Sequence, residues 1–171
     1  MGSDLLRRIA RLRVSAGFVL GVVVLWLAKP TPRSLAIGAA VAVLGEAFRV
    51  WAAGHLEKGS EVTSSGPYAF TRHPLYVGSS IIGLGFAIAS DSLLVASLAA
   101  VYLTVALTAA IRTEEAHLTE KFGHAYPAYR EGRSPVDGRR FSFERVRRNR
   151  EYRAVAGLAA VLAILAWKAQ L

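Results

Sequence analysis

Two stretches of this chain carry no charged side chain at all. LYVGSSIIGLGFAIA covers residues 75–89, and SLLVASLAAVYLTVALTAAI covers residues 92–111. A helix of a soluble bundle needs a polar face recurring at about 3.6 residues, and neither run has one. Uncharged apolar runs near 20 residues are the signature of helices that cross a bilayer. They predict an all-α integral membrane protein with about five transmembrane helices, at 14–28, 34–53, 75–90, 92–111 and 154–171. The first is short, because about 15 residues at ~1.5 Å each fall below a ~30 Å hydrocarbon core. It gains a turn from Leu12-Arg13, where the Arg can snorkel. Small residues such as Gly83, Gly85, Ala96, Ala99 and Ala100 suit close helix packing in lipid.

The charges lie between these segments. The chain has 21 Lys and Arg against 12 Asp and Glu, a formal charge of +9. More than half of all these charges fall within 112–153. The apolar content excludes a disordered chain. Zero cysteines exclude a disulfide framework, a thiolate metal site and a cysteine nucleophile. A basic nucleic-acid binder would share the charge but not the apolar runs, so no nucleic acid and no metal are expected. The basic tail, the 54–73 loop and the 112–153 segment fall on one side when the helices alternate. That predicts a cytoplasmic N-terminus and an external C-terminus. Residues 1–13 read as a basic amphipathic segment on the membrane surface, with Leu5, Leu6, Ile9 and Leu12 set against Arg7, Arg8 and Arg11. No cleavable signal, internal repeat or obligate protein partner is expected. The whole chain reads as one domain. The basic run Arg145, Arg147, Arg148, Arg150 and Arg153 reads as an anchor on anionic lipid.

Two segments on the basic side carry chemistry. In Gly66-Pro67-Tyr68-Ala69-Phe70-Thr71-Arg72-His73-Pro74-Leu75-Tyr76, Pro74 suits the first turn of a helix, where its missing N–H costs nothing. Arg72 and His73 then stand at the mouth of that helix, where free N–H groups and the dipole favour an anion. The same residues also serve positive-inside topology, with Tyr68, Phe70 and Tyr76 as interface anchors. Further on, no Gly or Pro interrupts the chain from Ser92 to Phe122. One helix of about 30 residues (~45 Å) is predicted, stopped at Gly123. It places Glu114 and Glu115 one or two turns beyond the apolar part, where a carboxylate can accept both hydroxyls of a vicinal diol. On spacing alone, an ordinary solvated face with Glu114 and Lys121 two turns apart is the better explanation. A third feature is Glu46 with Arg49, three residues apart within an apolar helix. They suit either a mutual salt bridge or a functional pair.

Taken together, Arg49-Val50-Trp51-Ala52, Gly66-Pro67-Tyr68, Arg72-His73-Pro74-Leu75-Tyr76-Val77-Gly78 and Glu114-Glu115 with Phe122-Gly123, Tyr126 and Tyr129 resemble the isoprenylcysteine carboxyl methyltransferase family. That family groups with the phospholipid methyltransferases among integral membrane methyltransferases. The resemblance covers about residues 45–130. After Arg130 the chain departs from the family pattern, with Glu131-Gly132-Arg133-Ser134-Pro135-Val136 in place of the run expected there.

The resemblance implies S-adenosyl-L-methionine as the cofactor, with Arg72, His73, Tyr76, Glu114 and Glu115 lining its pocket. It implies a lipidic or prenylated acceptor entering from the bilayer. Carboxyl O-methylation of an isoprenylcysteine-like substrate is the first expectation, and N-methylation of a phospholipid amine is the alternative. A carboxylate acceptor needs no general base, so catalysis would rest on alignment and desolvation. Arg49 and Arg130 are the candidates for orienting it. An amine acceptor must lose a proton, with Glu46 or a member of the Glu114–Glu115 pair as base. A rival of another class is the NADPH-dependent membrane sterol reductases, which resemble the chain around Arg72–Tyr76. Ser79-Ser80 and the paired glutamates favour the methyltransferase.

Overall fold

The computed structural model describes residues 17–133, 135 and 137–171. The amphipathic segment expected at 1–13, and the start of the first apolar run, lie outside the described residues. Seven α-helices follow in order. They are α1 (Gly17–Leu27), α2 (Pro32–His55), α3 (Pro74–Ala89), α4 (Leu93–Phe122), α5 (Ala125–Arg130), α6 (Phe143–Arg148) and α7 (Tyr152–Lys168), with a 3-10 turn at Gly66–Ala69. No strand occurs among the described residues.

Local chemistry sets the helix ends. Thr31 caps α2 through a reciprocal box, its Oγ1 accepting from Ser34 N–H at 3.1 Å and its own N–H donating to Ser34 Oγ at 2.9 Å. Pro32 follows at the first helical position. Pro74 opens α3 in the same way, as its sequence context predicts. α4 is one rod of 30 residues, capped by the Ser92 side chain and stopped by Gly123 at φ +51°. That matches the expected length and stop.

Two helices, α2 and α4, are long and apolar enough to cross a membrane. α1, described from Gly17, and α3 are apolar but shorter. α7 has 17 residues and begins at Tyr152 rather than Ala154. Among the described residues, two of the five expected spans, α2 and α4, are thus full-length by this measure.

The frame of the molecule is the antiparallel contact of α2 with α3, made through glycines. A Cβ at Gly45 would lie 2.9 Å from the Gly78 carbonyl, and one at Gly78 would lie 2.9 Å from the Gly45 carbonyl. Two turns further on, Gly38 and Gly85 face each other in the same reciprocal way. Side chains at these four positions would push the backbones apart, so glycine permits the close approach. At the far end of the bundle Ala28, Ala89 and Leu165 form a small core. There Lys168 Nζ donates to the Leu25 carbonyl at 2.8 Å and caps α1.

The opposite end is closed by the segment before α7. Ser142 N–H and Arg145 Nε donate to the Gly54 carbonyl at 3.0 and 2.7 Å. Asn149 Nδ2 donates to the Ala53 and Leu56 carbonyls at 2.9 and 3.0 Å. These bonds satisfy carbonyls that α2 leaves unpaired at its C-terminus, where positive charge is also favoured. The Phe141 ring packs over Gly54. The basic run is therefore only partly available to lipid: Arg145 and Arg148 pair with Glu57 at 3.6 and 2.6 Å, while Arg147, Arg150 and Arg153 are exposed.

Candidate functional site

The C-terminal end of α2, the 3-10 turn, the mouth of α3, the charged end of α4 and α5 enclose a cavity of about 190 Å³. Arg72, His73, Tyr76 and Glu114 line it, as do Tyr68 and Tyr126. Four of the five residues expected to hold a cofactor thus line one cavity. Glu115, the fifth, is turned aside. Its Oε1 accepts from His73 Nε2 at 3.1 Å and pairs with Arg72 Nη1 at 3.2 Å. Successive residues of a helix point about 100° apart. Glu114 therefore faces the cavity while Glu115 fixes the two basic groups at the α3 mouth. Burial alone would raise the Glu115 carboxyl. The hydrogen bond from His73 and the charge of Arg72 outweigh it and hold the group below the ordinary carboxylate range.

Aromatic residues set the cavity's depth. Tyr129 donates its phenol to the Tyr68 carbonyl at 2.6 Å, tying α5 to the 3-10 turn. Tyr126, one helical turn before it, is buried, with its hydroxyl beside the Glu115 carboxylate. It lies close enough to Glu115 for that charge to add to the effect of burial, and its phenol is pushed up to about 12. Burial also pushes the Tyr68 phenol far above its ordinary value, helped by the negative charge of Glu114. Tyr68 and Tyr126 belong to the motif read in the sequence, but not to its expected pocket residues. Their spacing around Gly66-Pro67 and Gly123 is the signal that marks them.

The three expected catalytic residues are not gathered at this cavity. Glu46 and Arg49 line a separate crevice of about 370 Å³ between α2, α3 and α7. Arg130 lines a shallow groove of about 330 Å³ on the other side of Arg72. The Glu46–Arg49 contact is long, at 3.7 Å. Arg49 instead binds Glu151 through Nε at 2.7 Å and Nη2 at 2.6 Å, and donates from Nη1 to the Leu75 carbonyl at 3.2 Å and Ser79 Oγ at 2.5 Å. Glu151 is buried just ahead of α7. Nothing in its local sequence separates it from the other acids of the 112–153 segment. A larger open depression of about 460 Å³ near Thr31 and Asp91 contains none of the buried unpaired polar atoms found among the described residues.

An apolar helical bundle with a polar, mixed-charge cavity at one end is the architecture of a membrane protein. Residues 12–125, more than half of the chain, match the model of the phospholipid methyltransferase family, and the protein belongs to that family of integral membrane methyltransferases. It is 33% identical over 94 residues to the cobalt-zinc-cadmium resistance protein CzcN of Cupriavidus metallidurans, covering 54% of this chain and 44% of the relative. It is 31% identical over 88 residues to the nickel-cobalt-cadmium resistance protein NccN of Alcaligenes xylosoxydans xylosoxydans, covering 50% of this chain and 40% of that relative. The chain thus covers less than half the length of these curated relatives. No solved structure matches it.

Proposed function

We propose that this protein transfers a methyl group from S-adenosyl-L-methionine to a lipid acceptor, with the donor held in the cavity between the α3 mouth and the charged end of α4. The observation that carries the reading is the sorting of charge around that cavity. Arg72, fixed by Glu115, and the positive end of the α3 dipole offer a place for the donor's carboxylate. Glu114 on the facing wall suits a ribose diol. The Tyr126 hydroxyl, beside Glu115, adds a polar group to the cavity lining. The aromatic rings and Glu114 favour a sulfonium cation. The enclosed volume is below that of the whole donor, which would extend past the rim at Leu56–Thr63. When bound, the donor supplies an electrophilic methyl group. The chain's own residues bind it, align it and exclude water.

The site would face the cytoplasm, with the basic loops on that side. The family does not separate a phospholipid from a prenylcysteine acid; the buried Glu46 carboxylate, which lacks a donor, favours the phospholipid amine. The decisive experiment uses purified protein in lipid nanodiscs. S-adenosylhomocysteine should bind, and Arg72→Ala and Glu114→Gln should each weaken it by about tenfold or more, the scale of one lost charged hydrogen bond. Labelled methyl should pass to phosphatidylethanolamine in preference to a prenylcysteine analogue. Tight NADPH binding with no S-adenosylhomocysteine binding would overturn the reading in favour of a reductase.

The two relatives are named for resistance to cobalt and cadmium, with zinc or nickel. We extend that to this chain as a role in metal tolerance exercised through the methylated lipid. Deleting the gene should lower growth on cobalt or cadmium salts, and unchanged tolerance would remove the link.

A further inference from the structure

We propose that the crevice between α2, α3 and α7 is the acceptor's site, with Glu46 receiving the N–H groups of a lipid head and the apolar walls carrying an acyl chain. The proposal rests on the reading of the neighbouring cavity as the donor site.

Glu46 is 6% exposed, and both of its carboxylate oxygens are buried without a hydrogen bond. Its nearest base does not satisfy it. Arg49 Nε stands 3.7 Å away and gives its proton to Glu151, while Nη1 serves Leu75 and Ser79. Two carboxyl groups therefore share one guanidinium, which leaves both Glu46 oxygens without a donor beside an apolar wall. An unpaired acid in such surroundings is costly, and it persists where a ligand completes it. A carboxylate acceptor would add a second negative charge. An amine or ammonium head supplies the missing donors and closes the balance.

The crevice is graded to fit such a lipid. Its polar end holds Glu46, Arg49 and Ser79, and its apolar end holds Phe86, Leu158 and Val161. The polar end lies next to the donor cavity. Leu75 lines that cavity, and its carbonyl accepts from Arg49. Ser79, one turn further along α3 and about 6 Å away, already faces the crevice. The middle of the crevice is empty on the α7 side, since a Cβ added at Gly157 would meet no atom within 4 Å.

That open position allows a plug. The test places the protein in phosphatidylcholine nanodiscs doped with phosphatidylethanolamine carrying a photoreactive acyl chain. A parallel set carries the same chain on phosphatidylglycerol. Labelling is expected on the α3 and α7 peptides around Phe86 and Val161. Gly157→Phe should cut it about tenfold with both lipids at an unchanged thermal midpoint, and Gly157→Leu should do so in part. Glu46→Gln should lower labelling by the amine lipid alone. S-adenosylhomocysteine affinity should stay at the wild-type value in all three variants. Undiminished labelling in Gly157→Phe, or an equal effect of Glu46→Gln on both lipids, overturns the proposal. Wild-type protein that labels as expected yet binds no S-adenosylhomocysteine leaves the crevice standing and removes the donor reading instead.

Discussion

Arg49 and Glu151 are 102 positions apart in sequence and meet through two charged contacts of 2.6 and 2.7 Å. The pair fastens the start of α7 to the middle of the α2–α3 frame, since the same guanidinium also holds Leu75 and Ser79 on α3. Removing one partner of a buried pair strands the other. Arg49→Met should therefore cost about 3–5 kcal/mol, because it strands Glu151 and removes the cation near Glu46. The double variant Arg49→Met/Glu151→Gln should recover part of that loss. Thermal unfolding of the two variants in detergent measures the difference. Equal destabilisation would show that the pair itself contributes little.

The glycine contact makes an opposite pair of predictions. Gly45→Leu forces a side chain into the Gly78 carbonyl and the Ile82 backbone, 2.8–2.9 Å from its Cβ. Overpacking of this kind costs about 1–3 kcal/mol or more, because two backbones must separate. Gly157→Leu, whose Cβ meets nothing, should unfold near the wild-type temperature. A Gly45→Leu variant as stable as Gly157→Leu would mean that α2 and α3 do not pack this closely in lipid.

Glu115 should act through the groups it holds. Glu115→Gln keeps the shape but removes the charge that fixes Arg72 and His73. S-adenosylhomocysteine should bind the variant about tenfold more weakly, the scale of charge-assisted hydrogen bonds lost. Calorimetric titration checks this. Wild-type affinity in the variant would assign Arg72 no need of its partner.

The acid limb of the pH profile should report the same residue. The folded state holds the Glu115 carboxyl below its ordinary value. A carboxyl of that kind contributes its full stability above the unfolded pKa, about 4.3, and loses it as pH falls through the folded value. Thermal midpoints measured downward from pH 7 should therefore fall more steeply in the wild type than in Glu115→Gln below about pH 4.5. Parallel curves would show that the His73 and Arg72 contacts do not bias this carboxyl.

The parts of this structure that follow from local pattern are visible in the chain itself. Pro74 at the opening of α3, the unbroken α4 and its stop at Gly123 need only nearest-neighbour chemistry. Arg72 and His73 meet Glu115 across more than 40 positions, and their place at a helix mouth anticipates an acidic partner. Other features depend on contacts that no periodicity encodes. Nothing around Glu151 marks it as the ligand of Arg49. The segment at 141–149 reads as a basic surface run, yet Ser142, Arg145 and Asn149 spend their donors on the end of α2. Glu114 and Glu115 look interchangeable in sequence and diverge only once the helix has a neighbour on each side.

The unbroken α4 has a mechanical consequence. No glycine, proline or bend separates its apolar length from Glu114 and Glu115. The acids are therefore the end of a lever whose fulcrum lies in lipid. About 20 residues of helix make an arm of ~30 Å, and tilting it by about 10° displaces the tip by roughly 5 Å. Helices tilt to match the hydrocarbon thickness around them. The width of the cavity that Glu114 lines would then be set partly by the bilayer, so the thickness of the surrounding lipid becomes an input to the site.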